Sequence, residues 1–313
     1  MLLAGGPLWF THAQVLQRNV PSRLVHAQDL PPELSARLTA PRAAIAGLDM
    51  SQPCVMGILN VTPDSFSDGG LHAAPADARR AARQMVQDGA AVIDVGGEST
   101  RPGAAPVPAA AEIERIEPVL RAIRQELAVP VSVDTRKAAV ARAALDAGAT
   151  LVNDVSGLTH DAELAGLCAK RDVPVCIMHA QGDPQTMQQD PRYDDVLLDV
   201  YDFLEGRIRA VEAKGLARNR ILVDPGIGFG KTERHNLTLL RNISLFHGLG
   251  CAILLGVSRK RFIGSIGRQE RAETRAPGSI AVGLAALGQG VQILRVHDVA
   301  DTVQALRLWM AVR

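Results

Sequence analysis

The sequence predicts an α/β protein that folds as a single (β/α)8 TIM barrel with an N-terminal extension. Short apolar runs of strand length alternate eight times with longer segments of helical periodicity, from Val55 to the end of the chain. The length of 313 residues also suits one such barrel better than two ordinary domains. We therefore expect a barrel domain over residues 51–313 and an extension of undetermined structure over residues 1–50.

The individual elements follow from local patterns. The first 50 residues contain five prolines and no sustained period, which indicates short strand-like pieces or one short helix packed against the barrel. Apolar runs predict strands at 55–59, 92–95, 131–133, 151–152, 175–178, 221–223, 252–255 and 293–296. Helical periodicity predicts helices at 76–88, 109–127, 138–147, 163–171, 194–214, 235–245, 279–288 and 301–310. Glycine stands at the end of several of these helices, as is usual at a helix C-terminus.

Composition and charge exclude several classes of protein. The 34 basic and 33 acidic residues nearly cancel, and only 3% of residues are aromatic, so neither a basic groove nor a base-stacking surface for nucleic acid is expected. No apolar run approaches the roughly 20 residues that span a bilayer, and the N-terminal residues lack the pattern of a signal peptide. The four cysteines form neither a CxxC pair nor a metal-ligand spacing, which favours buried, reduced thiols. We expect a cytoplasmic protein without nucleic-acid or membrane partners.

Residues that are mostly polar or charged stand at the end of each predicted strand or directly after it. Because the C-terminal ends of all strands in a parallel barrel meet at one mouth, where barrel enzymes hold their active sites, these residues are expected to lie together. They are Asn60, Asp94, Asp134, Asn153 with Asp154, Met178 with His179, Asp224, Ser258 with Arg259 and Lys260, and Arg295 with His297. This pattern predicts an active site at the mouth of the barrel.

Two acids and an amide among these residues indicate the class of ligand. A carboxylate accepts two parallel N–H bonds, and the amino-pyrimidinone edge of a pterin offers this geometry. Asp134, Asn153 and Asp224 would suit such a heterocycle, whereas without a donor ligand the two acids would repel each other. Taken alone, Asp224 is equally consistent with a helix cap or a salt bridge. Its expected proximity to Asp134 favours the heterocycle site.

Cationic side chains after the seventh and eighth strands predict a phosphate site. Arg295 and His297 alternate on one strand and so face the same side, and many barrels bind phosphate after these strands. Each of them alone would be interpreted as a solvated surface cation. Asn60, across the mouth, could give an oxygen to a Mg²⁺ that also binds phosphate. Together these residues predict a diphosphate clamp.

Three further motifs have less specific interpretations. Residues 224–232 resemble a phosphate loop, but Pro225 and Lys231 break the GxxxxGK[ST] and GxGxxG patterns, so a glycine-rich turn against a flat ligand is favoured. Residues 99–103 form either an ordinary surface turn or a substrate-contacting loop. His179 has no visible acid partner, which favours a structural role. No nucleophile with a paired base is visible, so covalent catalysis is not expected.

Eight motifs, taken in order, resemble those of the dihydropteroate synthases, a family of pterin-binding enzymes. They are NVTPDSFSDGG, GGESTRPG, VSVDT, NDV, IMHAQGDPQTMQ, DPGIGFGK, GVSRK and RVHDV, and the resemblance runs from Val55 to the C-terminus. It implies a transferase of folate biosynthesis that condenses 6-hydroxymethyl-7,8-dihydropterin diphosphate with p-aminobenzoate to give 7,8-dihydropteroate and diphosphate. It also implies Mg²⁺, inhibition by sulfonamides and a homodimer.

The resemblance implies roles for individual residues. The pterin would be bound by Asp134, Asn153, Met178, Asp224 and Lys260. The diphosphate would be bound by Asn60, Arg101, Arg295 and His297, with Asn60 also the Mg²⁺ ligand. The aminobenzoate and sulfonamides would be bound by Thr100, Arg101, Pro102, Phe229 and Ser258. The implied catalytic set is Asp134, Lys260, Arg295 and His297.

Two other classes of function remain open. A corrinoid-linked methyltransferase domain that binds a reduced folate would share DPG and NDV-like elements but not STRPG or SRK, and it would lack the diphosphate clamp. A non-catalytic pterin- or phosphate-binding barrel would release no diphosphate from the two substrates. The sequence departs from the family pattern at Ala180, where relatives often carry methionine, and in the 50-residue lead, which has no assigned role.

Overall fold

The first 50 residues fold against the barrel. The computed structural model describes residues 1–62, 70–99, 103–182 and 186–313. Strands β1 (His12–Gln17) and β2 (Val20–His26) form an antiparallel hairpin, and helix α1 (Pro32–Thr39) follows. Arg18, in the hairpin turn, forms ion pairs with two acids, Asp199 and Asp202. The extension thus contains both short strands and a short helix.

Eight parallel strands within the described residues close into a barrel. They are β3 (Cys54–Asn60), β4 (Val92–Gly96), β5 (Val131–Asp134), β6 (Leu151–Asp154), β7 (Val175–Met178), β8 (Ile221–Asp224), β9 (Ala252–Leu255) and β10 (Ile293–Val296). They pair in chain order, and β10 pairs with both β9 and β3 to close the sheet. The predicted barrel is confirmed, and each predicted strand lies within two residues of an observed one.

Helices surround the barrel. They are α2 (Gly70–Gln87), α3 (Ala109–Glu126), α4 (Ala138–Asp146), α5 (Leu164–Arg171), α6 (Val196–Glu212), α7 (Glu233–Arg241), α8 (Arg261–Gly267), α9 (Ala276–Leu287) and α10 (Val299–Val312). Helix α8 has only seven residues and was not predicted. The predicted helix 235–245 is split, because α7 ends at Arg241 and a 3-10 helix, Ile243–Leu249, follows it. None of the described helices is long and apolar enough to cross a bilayer.

Alternation along the strands divides the barrel interior into an apolar layer and a polar layer. The apolar layer lies toward the N-terminal ends of the strands. It contains Met56, Leu151, Leu222 and Ile293 from the strands, together with Ile45 and Met50 from the extension. The extension therefore seals the N-terminal end of the barrel. Residues two positions apart on a strand face the same side, and two positions further along three of these strands the inward residues become polar: Asn153, Asp224 and Arg295. The polar layer forms the floor of the mouth.

The four cysteines are free thiols, as expected. Cys168, Cys176 and Cys251 are buried, and Cys54 is partly buried. Burial raises the pKa of the Cys168 thiol to about 12, which leaves almost no reactive thiolate at neutral pH.

Candidate active site

Three charged side chains meet inside the barrel mouth. Arg295, on β10, donates from Nε to Asp94 Oδ2 (2.6 Å) and from Nη2 to Asp134 Oδ2 (2.8 Å). Asn153, on β6, donates from Nδ2 to the same oxygen of Asp94 (3.1 Å). The structure therefore brings together the predicted residues Asp134, Asn153 and Arg295, and Asp94 links them.

Asp94 belongs to this cluster, and the sequence prediction missed its contacts. The prediction placed it at a strand end but assigned it no ligand or partner. Its side chain is fully buried between Ile93 and Val95 in the sequence of β4. An acid within such an apolar run was the available signal, because carboxylates are almost never fully buried without a partner.

Three buried oxygens in this part of the mouth have no hydrogen-bond partner among the described residues. They are Asp94 Oδ1, Asp134 Oδ1 and Ser132 Oγ, the last on the same strand and the same face as Asp134. A buried polar atom without a partner costs about 1–3 kcal/mol. A ligand that brings N–H donors into the mouth would remove this cost for the carboxylate oxygens.

The charge of Asp134 depends on its surroundings. Burial raises the pKa of its carboxyl to about 7, opposed by Arg295 and reinforced by the nearby Asp94. Burial alone would lower the pKa of Arg295, but Asp94 and Asp134 outweigh it and the pKa is raised. Arg295 is therefore a permanent cation, whereas Asp134 titrates near neutral pH.

Asp224, the second predicted acid of the pterin pocket, ends β8 and is also buried. Its Oδ1 accepts from the backbone N–H of Gly226 (2.7 Å). Burial raises the pKa of its carboxyl to about 6, while the Gly226 N–H, Lys260 and Arg295 oppose the rise. Gly226 has a φ of +69°, and a Cβ on it would lie 1.8 Å from the carbonyl oxygen of His179. Only glycine fits there, so the turn itself holds the carboxylate in place.

Lys260 lies along the glycine-rich turn after β8. Its Nζ is 4.1 Å from the centre of the Phe229 ring, a cation–π distance. A Cβ on Gly228 would approach Lys260 Cδ to 3.2 Å, so the side chain runs close to the backbone of the turn. The predicted pterin residue Lys260 and the predicted aminobenzoate residue Phe229 are therefore in contact.

Ser258 and His297 are also in contact, although they were predicted for different pockets. Ser258 Oγ accepts from the backbone N–H of His297 (3.2 Å) and lies 3.0 Å from its Nδ1. The hydroxyl can donate to Nδ1 or accept from it, so Ser258 orients the imidazole ring in either tautomer. The neighbouring Arg259 instead forms an ion pair with Asp298.

The remaining predicted residues border this cluster or lie outside the described residues. Met178, at the end of β7, is buried, and its Cγ is 3.3 Å from a Cβ position on Gly226. Asn60 ends β3, with its Oδ1 3.8 Å from a Cβ position on Gly96. Thr100, Arg101 and Pro102 lie outside the described residues.

Comparisons with known proteins identify the family of the chain. Residues 56–297 match the family model of the pterin binding enzymes. The dihydropteroate synthase of Escherichia coli strain K12 is 47% identical over 261 residues, which cover 83% of this chain and 92% of that protein.

Solved structures show the same likeness. The Yersinia pestis dihydropteroate synthase in a sulfonamide complex has a TM-score of 0.80 and 46% identity, covering 85% of this chain and 96% of that one. The Xanthomonas albilineans enzyme with 4-aminobenzoic acid has a TM-score of 0.82 and 45% identity, covering 88% and 98%. The chain belongs to the dihydropteroate synthase family of pterin-binding enzymes.

Proposed function

We propose that this protein is a transferase of folate biosynthesis that joins 6-hydroxymethyl-7,8-dihydropterin diphosphate to p-aminobenzoate, forming 7,8-dihydropteroate and diphosphate. The observation that carries the proposal is the group of buried acids, Asp94, Asp134 and Asp224, at the barrel mouth. The proposal is supported by relatives: the Xanthomonas albilineans dihydropteroate synthase has been solved with 4-aminobenzoic acid and with 7,8-dihydropteroate.

The pterin ring occupies the acid cluster. Asp134 Oδ1 has no partner among the described residues, and Asp224 keeps lone pairs beyond the one used by Gly226. Both acids accept N–H bonds from the amino-pyrimidinone edge, and such bonds favour their ionised forms. Asn153 is oriented by Asp94, and the apolar Met178 packs beside the ring. Lys260 balances the charge of Asp224.

The diphosphate binds on the side of Arg295 and His297. Arg295 is held by two acids, so it presents a fixed cation without losing side-chain freedom on binding. Ser258 fixes the plane of the His297 ring in the same way. Arg101 belongs to this proposed set, although it lies outside the described residues.

Mg²⁺ is the proposed metal, with Asn60 as its protein ligand. Within the described residues, no group of three or more His, Cys, Asp or Glu could hold a metal ion. This suits an ion that takes one amide oxygen from the protein and its other ligands from phosphate and water. Gly96 has no side chain to fill the space beside Asn60 Oδ1. When bound, Mg²⁺ would neutralise charge on the departing diphosphate.

The reaction needs electrostatic stabilisation rather than a protein nucleophile. The C–O bond breaks and its electron pair leaves on the diphosphate, while Arg295 and His297 stabilise the developing negative charge. The methylene carbon is conjugated with the electron-rich dihydropterin, so positive charge spreads into the ring near the ionised Asp134. The aromatic amine is neutral at pH 7, forms the C–N bond and then loses a proton. No strong base is required.

The aminobenzoate binds beside the glycine-rich turn. Phe229 and Ser258 supply the described part of this pocket, and Thr100, Arg101 and Pro102 complete the proposed set. Sulfonamides, which resemble p-aminobenzoate, would occupy the same pocket. The proposal extends to a cytoplasmic homodimer, as the family resemblance implies.

A diphosphate-release assay tests the proposed function. The purified protein with Mg²⁺ and both substrates should release diphosphate, and omission of p-aminobenzoate should stop the release. Release that does not depend on p-aminobenzoate would indicate a hydrolase. No release from either mixture would indicate a protein that only binds these ligands. Either of these two results would refute the proposal.

A further inference from the structure

Lys231 is a buried cation that the proposed reaction does not use. Lys231 comes directly after Gly230 of the glycine-rich turn, and it is 3% exposed. Its Nζ lies 2.8 Å from His179 Nδ1, 3.0 Å from the carbonyl oxygen of Phe229 and 3.4 Å from that of His179. Among the described residues, no carboxylate forms an ion pair with it. A buried cation without a counter-ion is costly, so a compensating role is expected.

The three contacts match the donors of an ammonium group. Burial and the nearby Lys231 lower the pKa of His179 to about 2, so its ring is neutral and can accept at Nδ1. Burial also lowers the pKa of Lys231 to about 7, with Lys260 adding to the effect and Asp224 opposing it. If Lys231 loses a proton, the His179 ring can donate instead, so the pair stays joined. Lys231 therefore links the loop after β7 to the turn after β8.

Further hydrogen bonds on both sides of Lys231 join the turn after β8 to the segment after β7. Three consecutive carbonyl oxygens of the turn accept side-chain bonds: Gly228 from Gln188, Phe229 from Lys231, and Gly230 from Tyr193 Oη. Gly230 has a φ of +60°, and a Cβ on it would lie 2.4 Å from the carbonyl oxygen of Gln181. The turn is thus packed directly on the backbone of the loop after β7. The carbonyl oxygen of Phe229 accepts its bond from the buried Nζ of Lys231.

We propose that Lys231 is a positioning residue of the aminobenzoate pocket, which it shapes by fixing the backbone of Phe229 and so the ring against which Lys260 lies. The inference rests on the proposed function for the identity of the ligand. Lys231 touches no predicted substrate position itself. It acts through Phe229, whose ring forms one wall of that pocket.

The hydrogen bonds that hold the pterin acids do not involve Lys231, whose charge only adds to the larger effects of Lys260 and Arg295 in lowering the pKa of Asp224. Asp224 is held by the N–H of Gly226, and Asp134 is held by Arg295. Loss of the Lys231 bonds would therefore release Phe229 and leave the pterin acids in place. A selective loss of aminobenzoate binding distinguishes this role from a general structural one.

The test compares Lys231→Met, which keeps length and removes the donors, with Lys231→Gln, which restores an NH₂ donor group on a shorter side chain. Calorimetry measures p-aminobenzoate binding in the presence of 6-hydroxymethylpterin, diphosphate and Mg²⁺, a mixture that cannot turn over. Lys231→Met should weaken p-aminobenzoate about tenfold or more, while 6-hydroxymethylpterin alone changes by less than about threefold. Lys231→Gln should recover part of the loss. Lys214→Met, at an exposed lysine, is the matched control.

Two results would overturn the inference: unchanged p-aminobenzoate affinity in folded Lys231→Met, or equal losses for both ligands. If Lys231→Met does not fold, the same comparison is made with Lys231→Gln, which should then weaken p-aminobenzoate selectively; a Gln variant with wild-type affinity would refute the role. The proposed function fails separately, when the wild type binds both ligands and releases no diphosphate from the two substrates.

Discussion

Replacing Asp224 by asparagine should make the protein more stable and a poorer pterin binder. Burial raises the pKa of the Asp224 carboxyl from 3.8 to about 6, despite the bond from the Gly226 N–H. At neutral pH the folded protein therefore holds a carboxylate where a neutral group is preferred. Asparagine keeps the shape and the oxygen that accepts from Gly226, and it removes the charge.

The size of the stability effect follows from this pKa difference. A rise of about two pH units corresponds to at most ~3 kcal/mol. Since the folded pKa lies above the unfolded one, the penalty is absent below pH 3.8, grows up to about pH 6 and is complete above that value. Asp224→Asn should therefore raise the free energy of unfolding by up to ~3 kcal/mol at pH 8, and by under ~1 kcal/mol at pH 4.

Binding should change in the opposite direction. The variant loses a charged acceptor for two N–H bonds, so its affinity for 6-hydroxymethylpterin should fall about 100-fold. Urea denaturation at the two pH values gives the stability, and calorimetry gives the affinity. Asp146→Asn, at an exposed acid paired with Arg171, should change neither quantity appreciably. A variant that is no more stable at pH 8, or that binds the pterin normally, would refute the reasoning.

Three other predictions follow from the same site. Arg295→Met leaves Asp94 and Asp134 buried without their cation, so urea denaturation should show a loss of about 3 kcal/mol, and the KM for the diphosphate substrate should rise; an unchanged unfolding midpoint would contradict the ion-pair role. Wild-type affinity for 6-hydroxymethylpterin, measured by calorimetry, should fall at least about tenfold from pH 8 to pH 5, because a carboxyl with a pKa of about 6, that of Asp224, is ionised in only about one molecule in ten at pH 5. Asp134, with a pKa of about 7, loses its charge over the same range and adds to the fall. A flat pH profile would mean that ionised Asp224 is not the acceptor. Sulfonamides should inhibit competitively with p-aminobenzoate in steady-state assays, and competition with the pterin diphosphate alone would place Phe229 and Ser258 in another pocket.

The barrel could be predicted because its signals are local. Apolar runs mark β3 to β10, and the polar residue that ends each run marks the mouth. Parallel topology then places Asp134, Asn153 and Asp224 on one face without any knowledge of their contacts. The extension was less predictable, because almost every residue of strand β2 is exposed and no alternation of apolar and polar residues marks it.

The pairing inside the mouth could not be predicted from local patterns. Arg295 and Asp94 are 201 positions apart, and their bond exists only because the barrel closes. The same applies to Lys231 and His179, 52 positions apart, since neither residue alone indicates a buried pair. Sequence patterns identified which residues reach the mouth, whereas the folded structure shows which of them form hydrogen bonds and ion pairs with each other.

The central claim is that the amine of p-aminobenzoate displaces diphosphate by breaking the C–O bond of the pterin substrate. The most direct test is to run the reaction in H₂¹⁸O and to analyse both products by mass spectrometry. The account predicts 7,8-dihydropteroate and diphosphate in equal amounts, with no ¹⁸O in either product. Labelled diphosphate, or release of 6-hydroxymethyl-7,8-dihydropterin in place of dihydropteroate, would show hydrolysis and contradict the account.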